Sequence, residues 1–297
     1  MTYDLCIADR AYSSWSLRGW LLFAAFDIPV TLTVARLYEP GFAETLKAFH
    51  PARTVPALRL PEGVVLAESL AIAEELATRH PGAGLWPTDP KARAIARALV
   101  SEMHAGFTAL RTHCPMNLRV AYADCAPPQA VLDDLARLQQ IWDWARAETG
   151  ASGPWLCGAY CAADAFFAPV AARIAGYTLP VGPQARAYVE AHLSHGPFRR
   201  WRAMGLVDGP DQPFYDRPWA RRAWPGPEPL GAEACEGPSI NEACPYSGRP
   251  VTHVARFRLP GMGPGDTRAV GFCNTFCRDK SVADPEAWPQ LMALLQA

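Results

Sequence analysis

Three short stretches near the start of the chain and four cysteines near its end hold the residue types that could do chemistry. Ser13-Ser14-Trp15-Ser16-Leu17-Arg18 falls between a strand-like run, Leu5 to Ala8, and a helix-like run, Ser16 to Phe26. A helix N-terminus presents unpaired N–H groups and the positive end of the helix dipole, which suits a developing anion. A hydroxyl there, on Ser13 or Ser14, can donate to a bound thiol and favour its thiolate, the nucleophilic form. The same serines, Ser16 above all, also read as plain helix caps. Thr54-Val55-Pro56 opens a later strand. A proline at that place predicts a fixed peptide bond, cis among its options, with the Val55 N–H and C=O turned out to pair with an extended peptide. Alone, it reads as an ordinary turn proline. Glu68-Ser69 opens a further helix, where Ser69 and its N–H suit a carboxylate and Glu68 an ammonium. Alone, it is a helix start of the usual acid-and-hydroxyl kind.

The cysteines are distributed unevenly. Five of the nine are scattered over the first 161 residues, and the other four lie between positions 235 and 277. The scattered ones read as reduced, buried small hydrophobes. Among the rest, Cys244 sits in the turn-like Cys244-Pro245-Tyr246-Ser247-Gly248, and Cys273 and Cys277 are four apart, one helical turn. Three thiolates converging in a segment this short suit a soft or borderline metal such as zinc, copper or iron, and would staple it. Cys235, His253 and Asp279 are the candidates for a fourth ligand, and the sequence does not choose among them. Free or disulfide-forming cysteines are the other reading.

The elements that must position these groups fall into blocks. Residues 1–82 alternate strand and helix patterns in the order βαβαββα, with a hairpin at Pro56–Leu60 and Gly63–Leu66 turning at Pro61-Glu62, so a mixed sheet with helices on both faces is expected. Over 88–207 the pattern is helical throughout, at 90–112, 128–148, 162–176, 183–194 and 197–204, which predicts a helical bundle. Residues 208–231 hold six prolines and read as an extended surface linker, leaving 232–297 as the cysteine-rich module.

Bulk properties narrow the classes. With 297 residues, half of them hydrophobic, the chain fits two or three compact units. A net charge of −1 gives no electrostatic reason to expect nucleic acid or an anionic membrane as partner. No basic and apolar leader is visible, and the run Gly19 to Phe26 is too short to span a bilayer, so a cytoplasmic protein is expected. No Ser-His-Asp or Cys-His order and no phosphate-binding glycine loop stands out.

Taken together, the three N-terminal stretches occur in the order hydroxyl, pre-proline backbone, carboxylate-binding helix start, each at an edge of one small α/β unit. In this, residues 1–205 resemble the glutathione transferase superfamily, and the Ser-Ser-x-Ser-x-Arg stretch looks like its serine-type classes, the zeta class included. The resemblance implies a thioredoxin-like α/β N-terminal domain followed by an all-α helical-bundle domain, glutathione as cofactor, a small electrophile as second substrate, and a homodimer. It implies that Ser13, with Ser14 close behind, activates the glutathione thiol, with Ser16 nearby; that Val55, before Pro56, pairs with the cysteinyl unit; that Glu68 and Ser69 bind the γ-glutamyl end; and that Arg53 or Thr54 meets the glycyl carboxylate. Trp155 to Gly158, leading into Ala162-Ala163-Asp164-Ala165, looks like the family's capped core helix, with Cys161 in place of the hydroxyl residue, a weaker cap by up to about 1 kcal/mol. Glu102 to Phe107, followed by Pro115-Met116-Asn117, resembles a bacterial subfamily of unassigned substrate. Met103, Phe107 and Arg111 recur at helical spacing and, with Trp15, are candidates for the second-substrate pocket; a Met and aromatic stripe is equally plain core. His104 reads as an interface or surface histidine. The terminal segment resembles the YHS/TRASH-type treble-clef metal modules, with a longer spacer than they use, and zinc is the expected ion. The leading reading is a glutathione transferase-like enzyme acting by conjugation or isomerisation. A non-catalytic glutathione-sensing or partner-binding scaffold and a metal-handling protein are the alternatives.

Overall fold

The structure, a computed structural model, describes residues 2–259, 261, 263 and 265–296. The chain divides into two compact units, one of residues 1–193 and 211–225, the other of residues 194–210 and 226–297.

The first unit begins with strand β1 (Tyr3–Ile7), helix α1 (Ser14–Ala24), strand β2 (Val30–Val34), helix α2 (Gly41–Lys47), strands β3 (Ala57–Arg59) and β4 (Val65–Ala67), and helix α3 (Ser69–Arg79). The sheet order is β2-β1-β3-β4; β1 pairs β2 in parallel, while β3 is antiparallel to both β1 and β4. This is the expected βαβαββα order. Leu5, Cys6 and Ile7 are wholly buried, as expected of a central strand covered on both faces. The hairpin pairs Leu58 with Leu66 and turns over residues 60–64, where Gly63 takes a φ of 94° that favours glycine.

One close approach sets the geometry of this half. A Cβ on Gly19 of α1 would lie 2.7 Å from Pro56 Cβ, so the helix can rest on Pro56 only because position 19 has no side chain. Helix α1 also starts two residues earlier than its sequence pattern predicts. Ser13 is its cap, accepting from Ser16 N–H at 3.2 Å, and Ser16, the expected cap, lies inside the helix.

The helical part follows with α4 (Pro90–Ala105), α5 (Thr108–His113), α6 (Gln129–Thr149), α7 (Ala162–Gly176) and α8 (Pro183–Ser194). The single helix expected over 90–112 is two. Gly106 ends α4 and Phe107 takes a left-handed φ of 59°, which redirects the chain into α5. Helix α7 is buried on nearly all sides and packs against α1 and α4. Its cap is a capping box in which the Cys161 thiol takes the hydroxyl's place and Asp164 makes the wider set of bonds. Asp164 accepts from Cys161 N–H at 3.0 Å, from Leu156 N–H at 3.2 Å and from Tyr188 O–H at 2.9 Å.

Most of the stretch expected as an extended linker is a strap on this unit. Residues 213–215 form a 3-10 turn, and a two-residue ladder joins β5 (Ala121–Tyr122) to β6 (Arg221–Arg222). Gln212 N–H donates to Tyr12 Oη at 3.1 Å and Arg217 N–H to Tyr122 Oη at 2.9 Å. Backbone N–H groups of the strap make these ties to tyrosine hydroxyls of the rest of the unit, and composition alone hid them.

The second unit holds helix α9 (Gly196–Val207), strands β7 (Ala232–Cys235), β8 (His253–Arg258) and β9 (Thr267–Phe272), and helices α10 (Thr275–Ala283) and α11 (Pro289–Gln296). The strands form an antiparallel sheet in the order β7-β8-β9. The helix expected to close the bundle, at 197–204, packs here instead: α9 lies against α10, and Arg199 forks onto Asp284 with contacts of 2.6 and 2.8 Å. Among the described residues, no helix is long and apolar enough to cross a membrane.

His195, capping α9, makes the second unit's stability depend on pH. Burial, with Arg200 adding to it, pushes its imidazole down to about 4. A histidine depressed on folding takes its proton first in the unfolded chain. The stability it contributes is complete above its unfolded value of about 6.5 and is lost as pH falls from there toward 4. Denaturant midpoints at pH 7 and pH 4.5 are expected to show a pH-dependent loss about 2 kcal/mol smaller in His195→Gln than in the parent chain.

Candidate functional site

A cavity of about 670 Å³ opens at the N-terminus of α1, lined by Ser13, Ser14 and Trp15 together with Arg53, Thr54 and Val55. The dipole of α1 and its free N–H groups face the same place. Val55 precedes a cis proline, Pro56, whose ring is turned against Gly19, so Pro56 supports the cavity without lining it. The antiparallel pairing of β3 with β4 ends at Ala57 and Ala67, one residue from Pro56 and Glu68 in each strand. Glu68 caps α3 with a φ of 70°, and its carboxylate meets His104 Nε2 at 3.3 Å. Ser69 is fully buried and its hydroxyl has no hydrogen-bond partner. Two of the three stretches singled out in the sequence therefore share this cavity, whereas Glu68 and Ser69, at the start of α3, are not part of its lining.

The serines differ sharply in their bonds. Ser13 donates to Ser16 Oγ at 2.8 Å, and Ser16 Oγ also accepts from Ala8 N–H at 2.9 Å. Ser16 is wholly buried and ties the start of α1 to the end of β1; it does not reach the cavity, contrary to its placement among the binding residues. Ser14 Oγ accepts from Arg173 Nη2 at 3.4 Å.

Of the second-substrate candidates, Trp15 and Arg111 line the cavity, whereas Met103 and Phe107 do not. Met103 points into the core, and the left-handed turn at Phe107 moves that ring off the stripe. Helix α5 presents Thr108, Arg111 and Thr112 instead. The Arg111 and Arg18 guanidiniums lie 4.6 and 4.5 Å from the Trp15 ring centre, at cation–π distance. Burial lowers the pKa of Arg111, and burial with the like charges of Arg173 and Arg111 lowers that of Arg18. His104 stacks edge-on to Trp15, and its pKa is lowered by burial against the opposing pull of Glu68.

Sequence reasoning missed Arg173, Tyr215 and Arg217, all of which line the cavity. Arg173 had a signal: it and Asp164 are the only charged residues in the otherwise apolar run 162–176. Arg217 and Tyr215 had none, since they reach the cavity through the proline-rich strap. Arg53, Arg111, Arg173 and Arg217 all line the cavity and, among the described residues, no acidic one does.

In the second unit, Cys244, Cys273 and Cys277 come together with their sulfurs all within 4.8 Å of one another, Cys273 and Cys277 at 3.9 Å. Sulfurs on one tetrahedral zinc at about 2.3 Å stand roughly 3.8 Å apart, so the spacing fits such an ion. Ser247 O–H and Asn274 Nδ2–H donate to Cys273 Sγ at 3.2 and 3.4 Å. Burial would raise the Cys244 thiol, but the backbone N–H groups of Tyr246 and Cys273 and the Ser247 hydroxyl outweigh it, leaving it at about 7. Cys277 is pushed up to about 12 by burial. Among the described residues, none of the three proposed fourth ligands joins the group. His253 Nδ1 contacts Thr252 Oγ1 at 2.8 Å, and Asp279 accepts from Arg278 at 2.7 Å.

Residues 12–79 match the family model of the glutathione S-transferase N-terminal domain. Maleylacetoacetate isomerases of Rattus norvegicus and Mus musculus are each 32% identical to this chain over 107 residues, 34% of this chain and 47% of theirs. The chain thus spans about half the length of the curated relatives it matches. A glutathione transferase homolog from Burkholderia, solved with bound glutathione, matches 69% of this chain and 98% of its own at 21% identity and a TM-score of 0.52. An unclassified glutathione S-transferase from Bombyx mori matches 69% of this chain and 94% of its own at 20% identity and a TM-score of 0.55. The chain therefore contains the glutathione transferase fold, a thioredoxin-like half followed by a helical half, and residues 12–79 carry the sequence signature of that superfamily's N-terminal domain.

Ser16 and Ser69 are expected to respond oppositely to truncation. Ser16→Ala strips partners from Ala8 N–H and the Ser13 hydroxyl and should lower the unfolding free energy by about 2 kcal/mol. Ser69→Ala removes a buried hydroxyl that bonds nothing, so stability should hold or rise by about 1 kcal/mol in chemical denaturation.

Proposed function

We propose that the first unit binds glutathione in the α1 cavity and holds its sulfur as a thiolate for attack on a small anionic electrophile. The observation that supports this is that two motifs, each weak alone, share one cavity, the Ser13–Ser14 hydroxyls and the Arg53–Thr54–Val55 stretch, with the Glu68–Ser69 helix start in the same α/β half. In this reading Val55 pairs with the cysteinyl unit, and Arg53 or Thr54 meets the glycyl carboxylate. Glu68 takes the γ-glutamyl ammonium, and the unpartnered Ser69 hydroxyl takes its carboxylate. The family-model match over residues 12–79 supports it.

The charge of the cavity chooses the second substrate's class. Besides Arg53, the arginines Arg111, Arg173 and Arg217 line the space and, among the described residues, no carboxylate does, so an electrophile bearing a carboxylate is favoured over a neutral one. The reaction that fits best is isomerisation of an unsaturated acid, as the names of the curated relatives suggest. The thiolate adds to an activated carbon–carbon double bond, the resulting single bond rotates, and the thiolate is expelled with the double bond re-formed. Glutathione is regenerated, and no oxidant or reductant enters. Positioning and stabilisation of the thiolate supply the catalysis. Calorimetry should show glutathione binding in the millimolar range or tighter, weakened about tenfold in Ser69→Ala, and a cis-unsaturated keto acid should isomerise only when glutathione is present. A chain that binds no glutathione defeats this reading and leaves the partner-binding scaffold in its place.

We infer a second site for one thiophilic metal ion, zinc first, on Cys244, Cys273 and Cys277. Its support is the sulfur spacing, together with the small sheet that would need a staple. Metal analysis of the intact chain after zinc loading should give one equivalent. Cys273→Ser/Cys277→Ser should retain none, while Cys235→Ser and His253→Ala keep it. Equal metal in the parent and the double variant would exclude the site.

A further inference from the structure

Arg173 is buried on α7, lines the cavity and, among the described residues, has no carboxylate partner. Its guanidinium is held by three contacts. Nε–H donates to the Cys114 carbonyl at 2.8 Å, Nη1–H to the Pro169 carbonyl at 3.2 Å, and Nη2–H to Ser14 Oγ at 3.4 Å. The first two bonds fix the fork, so the third has little freedom to turn away. Such a cation costs free energy to bury, and burial lowers its pKa to about 10, with the like charge of Arg111 adding to the effect and Tyr177, Cys114 and Tyr215 opposing it; Arg18 is a further like charge that interacts with it. Two backbone carbonyls recover part of that cost. The remaining contact goes to a cavity serine.

The polarity of that contact is unambiguous. A guanidinium carries donors and no acceptor, so Ser14 must accept, and its own proton is left to point elsewhere. Ser13, next to it, is committed on both counts: its oxygen accepts from Ser16 N–H and its proton goes to Ser16 Oγ. Two adjacent serines of the same cavity wall thus have opposite capacities. One is used up in capping α1, and the other has a free proton.

We propose that Arg173 is the positioning residue of the thiol site: by donating to Ser14 Oγ it turns the Ser14 proton into the cavity, toward the sulfur of a bound thiol. This rests on the reading of the cavity as a glutathione site, and it makes Ser14 the donor rather than Ser13, which the sequence resemblance favoured. The thiol's proton leaves to solvent, and Ser14 keeps its own and shares it with the thiolate. Arg173 also adds a fixed positive charge behind the hydroxyl, which favours the anion further. Neither residue is consumed and no bond to the protein forms.

The test uses the full chain with bound glutathione, whose thiolate is followed by ultraviolet absorbance against pH, beside calorimetric affinity. The parent should hold the bound thiol below the pKa of free glutathione. Ser14→Ala and Arg173→Gln should each raise it by about one, about tenfold less thiolate at a given pH on the acid side, with affinity changed by less than about threefold. Because both act in part through one hydrogen bond, Ser14→Ala/Arg173→Gln should raise it by clearly less than the sum of the two single changes. A merely structural arginine would lower stability and affinity without moving the thiol and without this coupling. Where Arg173→Gln does not fold, Arg173→Lys, which keeps the charge and gives up the fork, should shift the thiol in the same direction by less. A bound thiol that Ser14→Ala or the Arg173 change leaves where it was, or effects that simply add, overturns the proposal. Absence of glutathione binding to the parent chain removes the glutathione reading and the proposal with it, whereas binding with a lowered thiol that Arg173 does not influence removes the proposal alone.

Discussion

The cavity of the first unit depends on helix α1 lying directly on Pro56. With any side chain at position 19 the contact is too close by a wide margin, since even a Cβ would sit 2.7 Å from the proline ring. Pro56 immediately precedes β3, and β3 is the first strand of the hairpin that leads on to Glu68 and Ser69. A single backbone-to-ring contact therefore decides the distance between the serine end of α1, the Val55 backbone and the start of α3. Moving α1 outward by the width of a methyl group would part the first of these from the other two. Packing in interiors is dense enough that such a shift has nowhere to be absorbed.

Behind this corner, α7 supplies rigidity and charge together. The helix is almost entirely apolar and buried, with Asp164 near its beginning and Arg173 near its end. Nine residues along a helix separate them by roughly 13 Å, too far to pair. Each is therefore satisfied separately, Asp164 by two backbone N–H groups and a tyrosine, Arg173 by two carbonyls and a serine. Burial pushes the carboxyl up to about 6 and the guanidinium down to about 10, so each is stressed toward its neutral form. The carboxylate is spent on capping. The guanidinium, lacking an acid, leaves positive potential at the cavity, where Arg111 and Arg217 add to it. A chain with net charge of −1 thus holds a locally cationic pocket that its overall composition conceals.

What could be read from the sequence followed how local the cause was. The βαβαββα order and the three motifs were legible because strand and helix periods, prolines and helix starts are written in neighbouring residues. The helix break at Gly106–Phe107 was not, because the apolar period continues through it while the backbone turns left-handed at Phe107. Ser16 looked like the cap because the apolar face begins after it, yet the hydrogen bonds make Ser13 the cap and draw Ser16 inward to hold Ala8. Arg217 and Tyr215 were beyond reach, since a proline-rich stretch shows no period and its ties run to Tyr122 and Tyr38, far away in sequence. The Cys244–Cys273–Cys277 grouping was legible in part: four-residue spacing placed two sulfurs together, and the hairpin β8–β9 that brings the third was not needed to guess it.

The cysteines show why residue type alone settles so little. Cys6 and Cys114 are buried among apolar groups or beside another thiol, and burial pushes them up to about 11 and 12, which keeps them protonated and inert. Cys244 is buried too, but backbone N–H groups of the turn that follows it point at its sulfur and hold it near 7. The difference lies in the Tyr246 and Ser247 N–H groups of the turn after Cys244 and the Cys273 N–H, which serve its sulfur. Cys277 lacks this service and gains Lys280, whose ammonium opposes the burial effect and itself lies 4.0 Å from the ring centres of both Tyr246 and Trp288. A thiolate cluster of three in a sheet of three short strands would repel itself without such donors and cations close by. The arrangement of amides, hydroxyl, amide side chain and lysine around these sulfurs is thus the part of the second unit that departs most from simple burial, and it follows from a five-residue turn and one turn of helix α10.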